Sequence, residues 1–223
     1  LQRHIGEERL DFVEDRELAA SLRDLERINR WFGGDAVTRR LLGTVVRRDE
    51  EFTVLDIGAA SGAAGRAIRR EFPKARVYSL DHRLRNLKSA PPPRIAADAF
   101  RLPFLAASFD IVFCSLFLHH FDLAQTVQLL GSMSALARRA LIAVDLERSR
   151  IARGFLPWTR WLFGWQDITT HDGILSVNAA FTRAELEQVA HSAGLQHAVV
   201  RSHAPWFRLS LLAVHNGSNG ASR

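Results

Sequence analysis

The sequence predicts an α/β fold built on a mostly parallel sheet with helices on both faces. Three observations carry that expectation. Short continuous apolar runs alternate with helix-period segments through most of the chain, the pattern of buried parallel strands joined by crossover helices. The first such run enters a turn of small residues, Gly58 to Gly62, and then a helix. Two closely spaced β-rich segments end the pattern, which predicts an antiparallel hairpin at one side of the sheet.

Residues 15–31 read as a helix, with Leu18, Leu22, Leu25 and Ile28 at helical spacing and a stop at Gly33-Gly34. A second short helix is expected over 35–46. Residues 52–57 form a strand too apolar for a one-faced sheet. A helix over 63–71 stops before Pro73, as proline requires. The second strand is 75–80, closed by Asp81. Pro91-Pro-Pro93 makes a rigid connector into a short strand, 95–97. Residues 109–114 are another apolar strand. Leu123, Val127, Leu130, Met133 and Leu136 lie on one helical face within 122–138, and 140–145 is the next strand. Thr182 and Glu185 have capping-box spacing and open a helix ending at Gly194. The last two β segments are 195–202 and 207–215.

With 223 residues, 47% hydrophobic and 24% charged, the chain can bury a sizeable core without staples. That excludes disorder as the main state. The single cysteine, Cys114, excludes an internal disulfide, and no Cys/His array suggests a metal site. The net charge is +6 and the pI is about 10.7. The excess is spread along the chain, almost all as arginine, with lysine only at 74 and 88. A nucleic-acid-binding arm would show a local basic run, so no nucleic-acid partner is expected. The doublets Arg39-Arg40, Arg47-Arg48, Arg69-Arg70 and Arg138-Arg139 fall near expected helix ends and read as solvated caps on helix dipoles. Residues 1–17 hold no apolar signal core, and no stretch approaches the ~20 apolar residues of a membrane span. The expectation is a cytoplasmic protein with a frayed polar tail over 216–223.

The segment Val54-Leu-Asp-Ile-Gly-Ala-Ala-Ser-Gly62 is the most informative. Gly58 and Gly62 permit close backbone approach of a ligand, and the next helix N-terminus favours an anion. The alternative is a tight strand–helix loop with no ligand. Asp81 adds weight, because it closes the second strand at the distance where dinucleotide folds place a ribose-binding acid. A carboxylate there accepts both ribose hydroxyls. Asp98, followed by Ala99, suits an adenine amino group with a neighbouring amide donating to the ring. These groups share one crevice at the carboxyl edge of the sheet.

Here the chain resembles the class I S-adenosylmethionine-dependent methyltransferases. The matching text is 54–62 as quoted, Leu80-Asp81, Ala97-Asp98-Ala99 with Leu102-Pro103-Phe104, and Ser108-Phe-Asp-Ile-Val112. Leu118-His-His-Phe121, Phe181-Thr-Arg-Ala-Glu-Leu186 and Ala193-Gly-Leu195 complete it, over residues 50–215. Within the family it looks most like the small-molecule branch that includes quinone-biosynthesis enzymes. One departure is Ala60, where the family usually has glycine; a methyl group is tolerable there in an ordinary backbone conformation.

The resemblance implies a Rossmann-like seven-stranded sheet of order 3-2-1-4-5-7-6 with strand 7 antiparallel. It implies residues 1–48 as a helical extension, 49–215 as the methyltransferase domain, and an acceptor-side insert at 148–180. The cofactor would be S-adenosyl-L-methionine, leaving as S-adenosyl-L-homocysteine. Its cradle would be Asp56, Gly58, Ala59, Ser61, Gly62, Asp81, His82, Asp98, Ala99, Ser115 and Leu116. Gly58 and Ser61 would lie at the methionine end, Asp56 would order the loop or reach the cofactor amine through water, and Leu116 would lie near the sulfonium.

On the acceptor side His119 and His120 follow the fourth strand. A histidine there suits removal of a phenolic proton near neutral pH. His119 is the expected base and His120 a substrate neighbour; the alternative is that both cap the next helix. Phe155, Trp158, Trp161, Phe163 and Trp165 crowd the insert and suggest a lipophilic or aromatic small-molecule acceptor. Of these, Phe155, Trp158, Trp161 and Trp165 are the expected pocket residues. A cap helix packed on the sheet is the alternative, and contact with a membrane surface is another, since Arg153 and Arg160 interleave with the aromatics. His171-Asp172, expected on a loop, is a second candidate base with an orienting acid. Asn29 and Arg30 of the first helix are within reach of the site, although that helix also reads as simple packing.

A nucleic-acid methyltransferase is the competing enzyme reading. No Asn/Asp-Pro-Pro-aromatic motif follows the fourth strand, and Cys114 lacks a preceding proline. A catalytically silent cofactor-binding module is the third, favoured by Ala60 alone. Monomer and homodimer both remain open.

Overall fold

Alternate residues of each central strand feed opposite layers of the core, because successive side chains of a strand point to opposite faces. In β1 (Phe52–Ile57), Val54 packs in one layer with Ile111 and Phe113 of β4 (Phe109–Ser115). Leu55 and Ile57 pack in the other with Val112 and Cys114. Both faces of the sheet are therefore covered, which is why these strands read as continuous apolar runs.

The computed structural model describes residues 2–6 and 15–215; the expected frayed tail lies outside them. The remaining strands are β2 (Ala75–Asp81), β3 (Arg94–Ala96), β5 (Ala137–Leu146), β6 (Val199–His203) and β7 (Arg208–Val214). They form one seven-stranded sheet of order β3-β2-β1-β4-β5-β7-β6. β7 runs antiparallel to both β5 and β6, and the other pairs are parallel. The topology is the one the resemblance implied.

The helices are α1 (Asp15–Trp31), α2 (Gly34–Leu42), α3 (Ala63–Glu71), α4 (Leu123–Leu136), α5 (Arg150–Phe163), α6 (Asp167–Ala179) and α7 (Arg183–Ser192). Both reciprocal capping bonds of Thr182 and Glu185 open α7. Asp122 caps α4 from outside the helix, in a second capping box with Gln125. α2 ends earlier than its apolar pattern suggested, at a turn through Gly43. β5 begins directly at Ala137, so Arg138 and Arg139 lie in the strand and do not cap α4. They instead pair with Asp110 and Glu50. The insert is two helices, and His171-Asp172 lies within α6, not on a loop.

The carboxyl ends of the parallel strands open towards α1, α5 and α6. α1 is fastened there by the buried Asp24, which accepts from the Gln166 N–H (2.9 Å) and the Thr169 hydroxyl (3.2 Å). The Arg27 guanidinium lies over the Trp31 and Trp165 rings.

Candidate active site

A single cavity of about 900 Å³ lies over this edge. That is near the upper end for small-molecule sites, with room for a cofactor and an acceptor together. The side where the sequence places a cofactor is built by the turn after β1. Gly58 (φ +72°) and Gly62 (φ +75°) both need the left-handed region that glycine supplies. A Cβ on Gly58 would fall 2.3 Å from the Phe117 ring, and one on Gly62 would fall 2.7 Å from Ala90. Both close approaches are thus to protein groups. Gly58 still lines the cavity, but Gly62 is not among its lining residues and serves as the turn into α3.

Ala60 also departs from expectation. Its φ is +45°, so the backbone is left-handed despite the methyl group. Such a placement costs about 1 kcal/mol or somewhat more. The Ala60 N–H donates to Asp81 Oδ2 at 3.0 Å. Asp81 Oδ1 accepts from the Arg83 N–H (2.9 Å) and the Asn86 amide (3.0 Å). A carboxylate offers about four acceptor positions, so these bonds use most of its capacity. Asn86 lines the cavity beside it as a second polar group. Asp98 is exposed, and its Oδ1 accepts from the Phe100 N–H at 2.9 Å. Ala59, Ser61, His82, Asp98, Ala99, Ser115 and Leu116 all line the cavity. The Ser61 hydroxyl donates to Glu26 of α1 at 2.7 Å, tying that helix to the turn.

Asp56 closes the floor. It is 1% exposed, lines the cavity, and its Oδ2 has no hydrogen-bond partner. Burial, reinforced by the nearby Asp81 charge, raises its pKa to about 7, against a Gly65 N–H that opposes the shift. A carboxyl that lines the cavity beside this turn fits the ammonium of an amino-acid-bearing cofactor.

On the side where an acceptor is expected, His119 is buried and lines the cavity. Its Nδ1 lies 2.6 Å from Asp145 Oδ1, and its N–H donates to Asp145 Oδ2 at 3.2 Å. Burial disfavours the Asp145 charge, but His119 and the Leu146 N–H outweigh it and hold this carboxyl below its ordinary value. An ionised Asp145 places the imidazole proton on Nδ1, which makes Nε2 the basic nitrogen. His120 is exposed, lines the cavity, and its ring centroid is 4.2 Å from that of His119.

The insert divides. Phe155 lines the cavity and meets Phe32 edge-on at 4.7 Å. Trp158 and Trp161 do not line it: they are 76% and 82% exposed on the far side of α5. Trp165 is buried behind the wall, stacked on Phe163 at 5.1 Å. His171 lies outside the cavity; Asp172, which pairs with it at 2.9 Å, lines the wall. From α1, Asn29 lines the cavity and Arg30 does not.

Sequence reasoning did not select Glu26, Asn86, Phe32, Asp145 or Arg208, all at the cavity or bonded to its residues. Asp145 carried a readable signal, an acid at the carboxyl end of an apolar strand. Arg208 carried another, a cation opening the apolar run Leu209 to Val214.

Residues 55–147 match the family described as "Methyltransferase domain". These 93 of the 223 residues are similar to a methyltransferase domain, and the seven-stranded sheet around them has the fold of the S-adenosylmethionine-dependent methyltransferases described below. Among curated proteins, the malonyl-[acyl-carrier protein] O-methyltransferase of Xylella fastidiosa (strain M23) is 35% identical over 82 residues, 33% of this chain. The match spans only 28% of that relative's length. Among solved structures, the plantazolicin methyltransferase BamL, with a triazolic desmethylPZN analog and SAH, superposes with a TM-score of 0.67. It is 16% identical, covering 91% of each chain. Magnesium protoporphyrin IX methyltransferase from Synechocystis PCC 6803, with bound SAH, gives 0.58 at 16% identity, over 82% of this chain and 83% of that one. A SAM-dependent methyltransferase from Aquifex aeolicus gives 0.59 at 13% identity, over 91% and 98%. At these identities the structures establish the fold.

Proposed function

We propose that this chain methylates the oxygen or carbon of a small lipophilic or aromatic acceptor, using S-adenosyl-L-methionine. The observation that carries the reading is the single cavity, which joins the Asp56–Asp81 edge to an apolar wall through the His119–Asp145 pair. When bound, the cofactor supplies the methyl group as an activated sulfonium. The chain's residues do the rest. Asp81, Asn86 and Asp98 bind the nucleoside portion, and Asp56 holds the amine. Ser115 and Leu116 flank the methionine portion. The Glu26–Ser61 bond keeps α1 over the turn and excludes water. His119 Nε2 takes the proton from an acceptor hydroxyl, with Asp145 orienting the ring and stabilising the imidazolium.

The test is transfer of labelled methyl from S-adenosyl-L-methionine to alkyl phenols and aryl carboxylates, run beside calorimetry with S-adenosyl-L-homocysteine. Label in the organic phase, lost in Asp81→Ala together with about tenfold or more in S-adenosyl-L-homocysteine affinity, supports the reading. No binding and no transfer refutes it; binding without transfer favours a silent cofactor-binding module.

A second partner is favoured by α5. Ile151, Trp158, Trp161 and Leu162 are exposed along one side of the helix, with Arg150 and Arg153 beside them. Tryptophans and arginines on an exposed amphipathic face suit an anionic lipid surface, from which a lipophilic acceptor is drawn. Among the described residues no helix is long and apolar enough to cross a membrane.

A further inference from the structure

Arg208 opens β7 in register with Leu146, at the carboxyl edge of β5, the strand that separates β7 from β4 and its Ser115. It is 1% exposed and lines the cavity. Its Nε donates to the Phe32 carbonyl at 3.1 Å, its Nη1 has no hydrogen-bond partner, and it makes no ion pair with any described residue. Asp145, one residue before Leu146 on the neighbouring strand, is engaged by His119. Burial lowers the Arg208 pKa to about 10, opposed by the more distant Asp145 and Asp35, so the group stays cationic at neutral pH. A buried, uncompensated cation is costly unless a partner arrives with the ligand.

The surroundings describe that partner. Phe32 and Phe155 meet edge-on beside the site, and Phe207 packs against Phe155 at 6.2 Å. These rings line the same cavity as Arg208, and Phe32 also supplies the carbonyl that its Nε meets. A planar guanidinium matches a carboxylate through two parallel N–H···O bonds.

We propose that Arg208 is the recognition group for a carboxylate carried on an apolar acceptor. This deepens the reading above and rests on it for the cavity's acceptor role. Binding the carboxylate pairs the buried guanidinium and orients the acceptor's apolar body against Phe32 and Phe155. A neutral acceptor of the same shape leaves the cation buried and unpaired, so the site discriminates by charge as well as by fit.

The probes are para-hexylbenzoate and its neutral isostere para-hexylbenzamide, titrated onto the full chain with and without saturating S-adenosyl-L-homocysteine. The wild-type protein is expected to prefer the benzoate by about tenfold or more. Arg208→Met and Arg208→Gln, checked for folding by thermal melting, are expected to bring that ratio close to one. S-adenosyl-L-homocysteine affinity should stay within about twofold, since the proposal places Arg208 on the acceptor side. Gln retains a donor for the Phe32 carbonyl, so a purely structural Arg208 would leave its ratio unchanged, and that result overturns the proposal. A wild-type ratio near one overturns it without any variant, as does failure of the benzoate to bind at millimolar concentration. Absence of S-adenosyl-L-homocysteine binding in the wild type would refute the methyltransferase reading instead, and the benzoate preference is read separately without it.

Discussion

The two halves of the cavity are built from different materials. The proposed cofactor half comes mostly from the ends of β1, β2 and β3 and the turns that follow them, within about forty-five residues of continuous chain, with Ser115 and Leu116 added from the end of β4. The acceptor half is assembled from α1, the turn after β4, α5, α6 and the start of β7, segments separated by up to 176 residues, as in the Arg208–Phe32 bond. In the first half, backbone geometry and acids at strand ends do the work, so a short motif describes it. In the second, side chains from distant elements converge, and each element also has packing duties that look the same in sequence. Generic chemistry sits on contiguous chain, and specificity sits where the tertiary fold gathers it.

The sharpest way to test the division is His119. His119→Ala should lower kcat by about 10²–10⁴-fold and leave cofactor affinity near wild type. The loss should shrink for an acceptor already ionised at assay pH, which a pH–rate profile on one acidic and one weakly acidic acceptor will show. Equal losses on both would make His119 a positioning residue.

Asp56 tests the cofactor half. Its folded-state pKa, about 7, lies above the ordinary carboxylate value of 3.8. The folded protein therefore holds this proton more tightly than the unfolded chain. Its contribution is fully present below about pH 4 and is lost as pH rises to about 7, by at most roughly 4 kcal/mol. Asp56→Asn should flatten that part of the stability curve and raise the melting temperature at pH 8. The same variant should weaken cofactor binding, because an amide cannot offer the ammonium a charge. Melting and calorimetry across pH 5–8 separate the two effects.

Within the insert, the expected contrast is Phe155 against Trp161. Phe155→Ala should raise the acceptor KM by about tenfold through lost apolar contact. Trp161→Ala should leave KM and cofactor affinity within about twofold, while reducing binding to anionic vesicles. A KM effect from Trp161 would move the outer face of α5 into the pocket.

The smallest effect belongs to Ala60→Gly. Relief of the left-handed methyl is worth about 1 kcal/mol, partly offset by the greater freedom of glycine in the unfolded chain. The melting temperature should rise by a few degrees at most, with cofactor affinity held; a fall would mean that the alanine methyl makes a needed contact.

Much of this molecule is determined locally and was legible for that reason. Apolar runs such as 52–57 and 109–114 are strands because both faces are buried. Asp81 is placed by the strand it ends, and the Thr182–Glu185 box is visible as a spacing. The tertiary structure alone decided which aromatic faces inward: at helical pitch Phe155 turns to the cavity while Trp158 and Trp161 turn away. It also decided the backbone at Ala60, which is held left-handed with its N–H bonded to Asp81, and the partners His119–Asp145 and Arg208–Phe32. The physical reason is range. Strand, turn and cap signals act over a few residues, whereas a buried charge finds its partner only when the sheet brings β4, β5, β7 and α1 to one edge.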